Sequence, residues 1–227
     1  ILQSFEGKID VEIPRIEYQG DDPVYSGYRK IEGEVFNRES LAHLQEAEKI
    51  QVGKDMAHFL HQMHTVPLAD AEKAGYTRKP FMAEAKRKET EEFVRSEFLD
   101  EKKRTFLLQM LNQSKEFESA PQKEVALHGD LDLGNMFLDP KTKRLKGVID
   151  FGDAIGDIHR DFFYAPIRDK IMGKAMLEEY ERLSGETLSR EALQTYVVSR
   201  ELRFLMRYHK KGDVKLTEEW RRKLEER

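Results

Sequence analysis

The run His128-Gly129-Asp130-Leu131-Asp132-Leu133-Gly134-Asn135, followed by Val148-Ile149-Asp150-Phe151-Gly152-Asp153, decides how this chain reads. It sets an acid, an amide and a second acid at the spacings that a metal-assisted phosphoryl transfer requires. Such a transfer needs a carboxylate to orient an attacking hydroxyl and accept its proton. It also needs oxygen ligands for the magnesium ions that neutralise the moving phosphate. Asp130 fits the first role, and Asn135 with Asp150 fits the second. Loop aspartates and asparagines often only cap helices or close turns, but the joint spacing favours the chemical role.

Working outward, Leu127 leads into this loop and Met136-Phe137-Leu138 leaves it as a short strand. Leu145-Lys146-Gly147-Val148-Ile149-Asp150 makes the paired strand after a turn at Asp139-Pro140-Lys141. That hairpin brings Asp130, Asn135 and Asp150 together. Near the start, residues 11–18 alternate apolar and polar before a turn at Gly20-Asp21-Asp22-Pro23, and residues 24–31 read as the next strand. From Ser40 to Val66 the apolar residues recur at helical spacing, with Gly53 marking a break. Residues 81–118 carry dense mixed charge and read as one or two solvent-facing helices. The remainder, from Asp161 to Arg227, has a helical pattern punctuated by Gly173, Gly185 and Gly212.

Length and composition bound the class. A chain of 227 residues can bury a sizeable core. It has no cysteine, hence no disulfide framework, thiol nucleophile or Cys-based zinc site, and a reducing cytoplasm is its natural setting. No stretch approaches the apolar length of a membrane span. The net charge of -4 excludes a generally basic nucleic-acid binder and suits a polycationic small molecule.

The form H-G-D-x-x-x-x-N, with I-D-F-G-D and the downstream Gly156-Asp157, resembles the aminoglycoside phosphotransferase family, and within it most of all the 2''-phosphotransferases. Protein kinases carry arginine where Gly129 stands, and that arginine answers an activation-loop phosphate; a kinase without it needs no such switch. Ile13-Pro14-Arg15-Ile16, Tyr25 to Gly33 and Leu60-His61-Gln62-Met63-His64 extend the resemblance over most of the chain.

The resemblance implies an α+β, protein-kinase-like two-lobed fold. Residues 1–33 would be a remnant of the small nucleotide-binding lobe with its hinge, and residues 34–227 the large, mainly helical catalytic and acceptor-binding lobe. The Gly-rich loop and β3 lysine of such a fold are not in this sequence, so the chain is expected to start inside the small lobe, with the missing strands upstream. Lys8 and Lys30 read as solvated surface lysines rather than substitutes.

The family further implies Mg2+ as cofactor and ATP or GTP as phosphoryl donor. Tyr28 would be the gatekeeper, and the backbone of Arg29, Lys30 and Ile31 would bond the purine. The acceptor would be a small cationic molecule, an aminoglycoside first, with a macrolide, choline-like, sugar or homoserine acceptor as alternatives. A nucleotide-binding pseudokinase is the reading of another class. A monomer is favoured.

The other polar candidates divide. His128 buttresses the loop by hydrogen bonding, because Asp130 already fills the base role. Asp153 either assists metal or acceptor binding or ties down the strand end. Glu201, on a late helix, is the candidate acid for substrate ammonium groups, with an ordinary ion pair to a nearby arginine as the alternative. Asp157 and Asp161 read as structural, and His159-Arg160-Asp161 as a chance copy of the protein-kinase signature, since it follows Asp150 instead of preceding it. His58, His61 and His64 read as surface or core histidines, and Trp220 as a packing anchor.

Overall fold

The computed structural model describes residues 5, 7–20, 26–98, 100–152 and 154–227, with only the backbone of Gln19 and Ser26. In chain order the elements are β1 (Ile16–Gln19), β2 (Ser26–Tyr28), β3 (Glu34–Val35), α1 (Arg38–His43), α2 (Glu46–His64), α3 (Leu68–Lys73) and β4 (Thr77–Arg78). There follow α4 (Glu84–Glu97), α5 (Glu101–Ser119), β5 (Glu124–Leu127), β6 (Met136–Leu138), β7 (Leu145–Val148) and β8 (Ala154–Asp157). The last four are α6 (Tyr164–Arg168), α7 (Lys170–Ser184), α8 (Arg190–Lys210) and α9 (Val214–Glu225). The chain is mainly helical with small sheets, and it divides into two compact units, Ile1–Lys79 with Glu124–Leu188 and Pro80–Lys123 with Ser189–Arg227.

In the first unit the early hairpin forms with shorter strands than the alternation suggests. β1 and β2 pair antiparallel with Ile16 opposite Tyr28, and the turn at residues 21–25 lies outside the described residues. Residues ahead of β1 do not extend this hairpin. Glu12 instead lies parallel to Gly147, its N–H donating to the Lys146 carbonyl at 2.8 Å and its carbonyl accepting from Val148 N–H at 2.9 Å. β6 and β7 form the hairpin expected after the loop, and β3 adds antiparallel to β6. A second sheet has the order β4-β8-β5, with β4 parallel and β5 antiparallel to β8. β8 had no reading in the sequence: Ala154-Ile155-Gly156-Asp157 is too short for periodicity to register.

The break expected at Gly53 falls elsewhere. The chain leaves α1 at Leu44, whose extended backbone ends the helix, and α2 starts after Gln45 and passes through Gly53 uninterrupted. Asn37 starts α1 with a reciprocal cap, its Oδ1 accepting Ser40 N–H and Ser40 Oγ accepting Asn37 N–H, both at 2.9 Å. Gly53 serves packing: a Cβ there would lie 2.4 Å from the Met172 carbonyl oxygen, so its missing side chain lets α7 approach. Gly173 likewise sits inside α7, against Pro166, whereas Gly185 (φ 70°) and Gly212 (φ 69°) do end helices in the left-handed conformation glycine favours.

The core of this unit is where α2 meets α7. Val52, Met56, Phe59, Leu60 and Met63 of α2 are buried, as are Met172, Met176 and Tyr180 of α7. Each large apolar side chain so buried contributes about 1.5–3 kcal/mol. Lys49 bonds Asp169 at 3.0 Å, and Asp169 also caps α7. Buried Asp55 clasps the β6–β7 hairpin to α2, accepting from Arg144 Nε and Nη2 at 2.7 Å each and from Leu145 N–H at 3.1 Å.

The second unit is built from α4, α5, α8 and α9. Leu107, Leu111, Leu202, Leu205, Trp220 and Leu224 are buried, and the Trp220 ring centre lies 4.8 Å from that of Phe204. Asp100, Ser189 and Asp213 cap α5, α8 and α9 through their side chains. Among the described residues no helix is long and apolar enough to cross a membrane.

Candidate active site

β5 delivers the chain to His128 with Val125, Ala126 and Leu127 fully packed, so the loop that follows starts from a rigid point. Gly129 then turns at φ 77°, a conformation that an L side chain rarely adopts. Asp132 accepts from Leu133 N–H at 2.8 Å and opens a short 3-10 turn over Leu133–Asn135, which returns the chain into β6.

The three spaced residues rest on one frame. Asn135 Nδ2 donates to the Asp130 carbonyl at 2.8 Å and to its Oδ2 at 3.3 Å, closing the loop on itself. The segment carrying Asp150 is tied to that loop on both sides: Ile149 N–H donates to the Asn135 carbonyl at 2.9 Å, and Gly152 N–H to the His128 carbonyl at 2.8 Å. Between these ties Asp150 sits exposed at φ 65°. Gly152 is required by closeness, since a Cβ there would come within 2.9 Å of the His128 carbonyl oxygen.

His128 is wholly buried, with its ring 4.8 Å from Phe151 and 5.9 Å from Phe59. Its Nδ1 accepts Asp130 N–H at 3.3 Å, which assigns the proton to Nε2, where it bonds the Ile149 carbonyl at 3.0 Å. Burial pushes the pKa of this imidazole down from 6.5 despite the neighbouring carboxylates Asp161, Asp130 and Asp150. A neutral His128 thus joins the two motif segments through one ring.

Asp161 sets the loop backbone. Its Oδ2 accepts His128 N–H at 2.9 Å, its Oδ1 accepts Gly129 N–H at 2.7 Å, and His64 Nε2 bonds Oδ2 at 3.0 Å. Burial alone would raise its pKa, but the bonds and charge of His64, with His128 and Gly129 N–H, hold it below the usual carboxylate value. His64 Nδ1 meets the Tyr180 hydroxyl at 2.9 Å, and burial pushes that hydroxyl's pKa up.

Several residues bearing on the site had no reading as site residues. Tyr164 and Arg168 of α6 bond Asp130 and Asp132: the Tyr164 hydroxyl donates to Asp130 Oδ1, and Arg168 Nε donates to Asp132 Oδ1 at 2.8 Å. In the sequence Asp161 reads as structural and His64 as a surface or core histidine, and neither as organising this loop, because nothing local links residues 97 positions apart. His159-Arg160-Asp161 forms a buried 3-10 turn, with His159 bonded to Asp157 at 2.6 Å.

The remaining sequence candidates fall as follows. Tyr28 ends β2 half-exposed, Arg29 pairs with Glu17 at 3.2 Å, and Ile31 is buried against Gly147. Asp153 lies outside the described residues. Glu201, on α8 of the second unit, is 2% exposed and held by Arg227, whose Nε and Nη2 donate at 2.6 and 2.8 Å. Among the described residues no three His, Cys, Asp or Glu side chains gather closely enough to hold a metal ion by themselves.

A mainly helical chain with this loop and this acid, amide and acid has the kinase-like fold of antibiotic phosphotransferases. The chain belongs to the phosphotransferase enzyme family, whose match runs over residues 2–209. It is 30% identical over 164 residues to an aminoglycoside 3'-phosphotransferase from Streptomyces fradiae, covering 66% of this chain and 59% of that one. The chain thus spans about three-fifths of the length of this relative.

Among solved structures, the GDP and kanamycin complex of APH(2")-IIIa superposes with a TM-score of 0.74 at 23% identity, over 100% of this chain and 79% of that one. A type I macrolide 2'-phosphotransferase superposes at 0.64 with 18% identity, over 98% of this chain and 76% of the other. These two likenesses show the fold.

Proposed function

We propose that the protein transfers the γ-phosphoryl group of ATP or GTP to a hydroxyl of a cationic small molecule, an aminoglycoside above all, as a cytoplasmic monomer. A bond forms between the acceptor oxygen and the γ-phosphorus, the bond from that phosphorus to the β-bridging oxygen breaks, the nucleoside diphosphate leaves, and the hydroxyl proton passes to Asp130. The observation that carries this reading is the single buried frame, His128 with Asp161, that fixes Asp130, Asn135 and Asp150 in one loop system.

Asn135 and Asp150 are the residues that would hold magnesium. The amide nitrogen of Asn135 is spent on Asp130, which leaves its carbonyl oxygen as the acceptor side, and Asp150 is an exposed carboxylate. Two hard oxygen donors suit a magnesium ion, which completes its shell with water and phosphate oxygens. Bound there, magnesium would supply charge neutralisation on the phosphates. The acidic net charge of -4 suits a cationic acceptor.

In this reading residues 1–33 belong to the small nucleotide-binding lobe and residues 34–227 to the large one. Tyr28 and the backbone of Arg29, Lys30 and Ile31 line the purine. Asp153 and Glu201 are the acids offered to the acceptor, Glu201 only once Arg227 lets go. The names of the Streptomyces fradiae relative and of the kanamycin complex favour an aminoglycoside.

The test is magnesium-dependent nucleotide turnover by the full-length gene product across aminoglycosides, macrolides, choline and homoserine. Turnover that requires an acceptor and vanishes in Asp130→Ala while nucleotide still binds is the expected result. Nucleotide binding that no acceptor converts into turnover would overturn it in favour of a regulatory nucleotide-binding module.

A further inference from the structure

Asp132 lies midway along the loop from Asp130 to Asn135 and is bonded to both through its backbone. Its N–H donates to the Asp130 carbonyl at 2.7 Å, and its own carbonyl accepts Asn135 N–H at 3.0 Å. The Asp130 carbonyl also receives Asn135 Nδ2 at 2.8 Å, so residues 130–135 close into one small ring of bonds. The Asp132 side chain ties that ring to α6. Its Oδ1 accepts Leu133 N–H, which opens the 3-10 turn carrying Asn135, and also Arg168 Nε, both at 2.8 Å, while Oδ2 accepts Arg168 Nη2.

Arg168 reaches the turn from a firm base. It ends α6, in which Tyr164, Ala165 and Ile167 are buried. Gly173 of α7 lies so close to this helix that a Cβ there would stand 2.6 Å from Pro166 Cα. The next residue, Asp169, caps α7 and bonds Lys49 of α2 at 3.0 Å. An exposed ion pair contributes little, but the Arg168 and Asp132 side chains are only 13% and 23% exposed, and they meet fork to fork. That geometry fixes orientation as well as adding energy.

We infer that Arg168 is a positioning residue for the magnesium ligand Asn135 and acts through Asp132, an inference that rests on the phosphotransferase reading above. Magnesium demands near-ideal octahedral placement of its ligands, so an amide already set in place binds it better than one that must first be ordered. Groups that hold a metal ligand from behind are worth about 10–100-fold in metal affinity. Tyr164, one turn earlier on α6, holds Asp130 itself. One short helix thus sets both sides of the reaction, Tyr164 the carboxylate that takes the proton and Arg168 the turn that presents the amide.

The experiment is calorimetric titration of the full-length gene product with ADP and with GDP, without magnesium and then across a magnesium series, for the wild type, Arg168→Met and Arg168→Lys. Thermal midpoints verify that each variant is folded at the working temperature, and a magnesium half-saturation does not depend on the folded fraction. The expected result is a wild-type nucleotide affinity without magnesium and a half-saturation at least about tenfold higher in Arg168→Met. Arg168→Lys, which keeps the charge but loses the fork, should fall between the two. A wild-type half-saturation in Arg168→Met overturns the inference and leaves an ion pair of the fold. A wild-type value in Arg168→Lys overturns it in favour of charge neutralisation alone. A wild type that binds both nucleotides regardless of magnesium removes the phosphotransferase reading, and this inference with it.

Discussion

The hydroxyl of Tyr164 donates a hydrogen bond to Oδ1 of Asp130. Tyr164 is 2% exposed, its ring packs on Phe163 at 4.4 Å, and one turn further along α6 Arg168 grips Asp132. The other Asp130 oxygen receives Asn135 Nδ2, so the carboxylate is held from two sides.

If Asp130 accepts the acceptor's proton, fixing its plane matters to turnover more than to binding. Tyr164→Phe keeps the packed ring and removes only the hydroxyl. A bond to a charged group contributes about 1.5–3 kcal/mol, which corresponds to a fall in kcat of about 10–100-fold. Steady-state kinetics should show KM for nucleotide and acceptor within about twofold of wild type. A wild-type kcat would mean that Asn135 alone positions the acid.

Acid should weaken the protein in two stages. The folded pKa of His128 lies below 6.5, so the unfolded chain takes up that proton first and stability falls as pH drops below 6.5. The folded pKa of Asp161 lies below 3.8, so its contribution is complete above 3.8 and is lost as pH falls through the folded value. Thermal midpoints recorded from pH 8 downward should decline through both windows, and His128→Gln should flatten the upper one. A midpoint of that variant falling as steeply as the wild type between pH 6.5 and 5 would assign the upper stage to other histidines.

Gly53→Ala separates helix propensity from packing. Inside α2 the change alone favours the helix by about 1 kcal/mol. The added Cβ, however, would stand 2.4 Å from the Met172 carbonyl oxygen and 3.1 Å from Ala175 Cβ, so α7 must move. A net destabilisation of about 1–3 kcal/mol by denaturant titration is expected. A stabilised variant would show that α2 and α7 can separate cheaply.

Arg227→Ala leaves the Glu201 carboxylate buried without the guanidinium that holds it. Removing one partner of such a pair costs about 3 kcal/mol. If Glu201 also serves a cationic acceptor, the variant should bind aminoglycoside more tightly while melting earlier, because the competing cation is gone. Lower stability with unchanged acceptor affinity would leave Glu201 as an ion pair only.

Sequence spacing carried the loop. The steps from His128 through Asp130 to Asn135, and the later Asp150 and Gly152, are local patterns that one hairpin can close, and β6 and β7 do close it. Long periodic runs were legible as helix, as α2 and α8 show, though the break ahead of α2 was misplaced at Gly53, whereas the two-residue strands β3 and β4 and the four-residue β8 left no periodicity to read.

Glycines divided by cause. Gly185 and Gly212 announce helix ends because a positive φ is a property of the residue itself. Gly53 misled because its reason is the close approach of α7, more than a hundred residues away in sequence.

The sequence by itself determined the chemistry on offer: an acid, an amide and an acid in one loop system, on a cysteine-free, acidic, mainly helical chain. Only the tertiary structure decided what holds them. Asp161 and His64 reach the loop backbone from other elements, Tyr164 reaches Asp130 from α6, and Arg227 covers Glu201. Hydrogen bonds between residues tens of positions apart depend on where packed helices place their side chains, and no spacing rule along the chain encodes that placement.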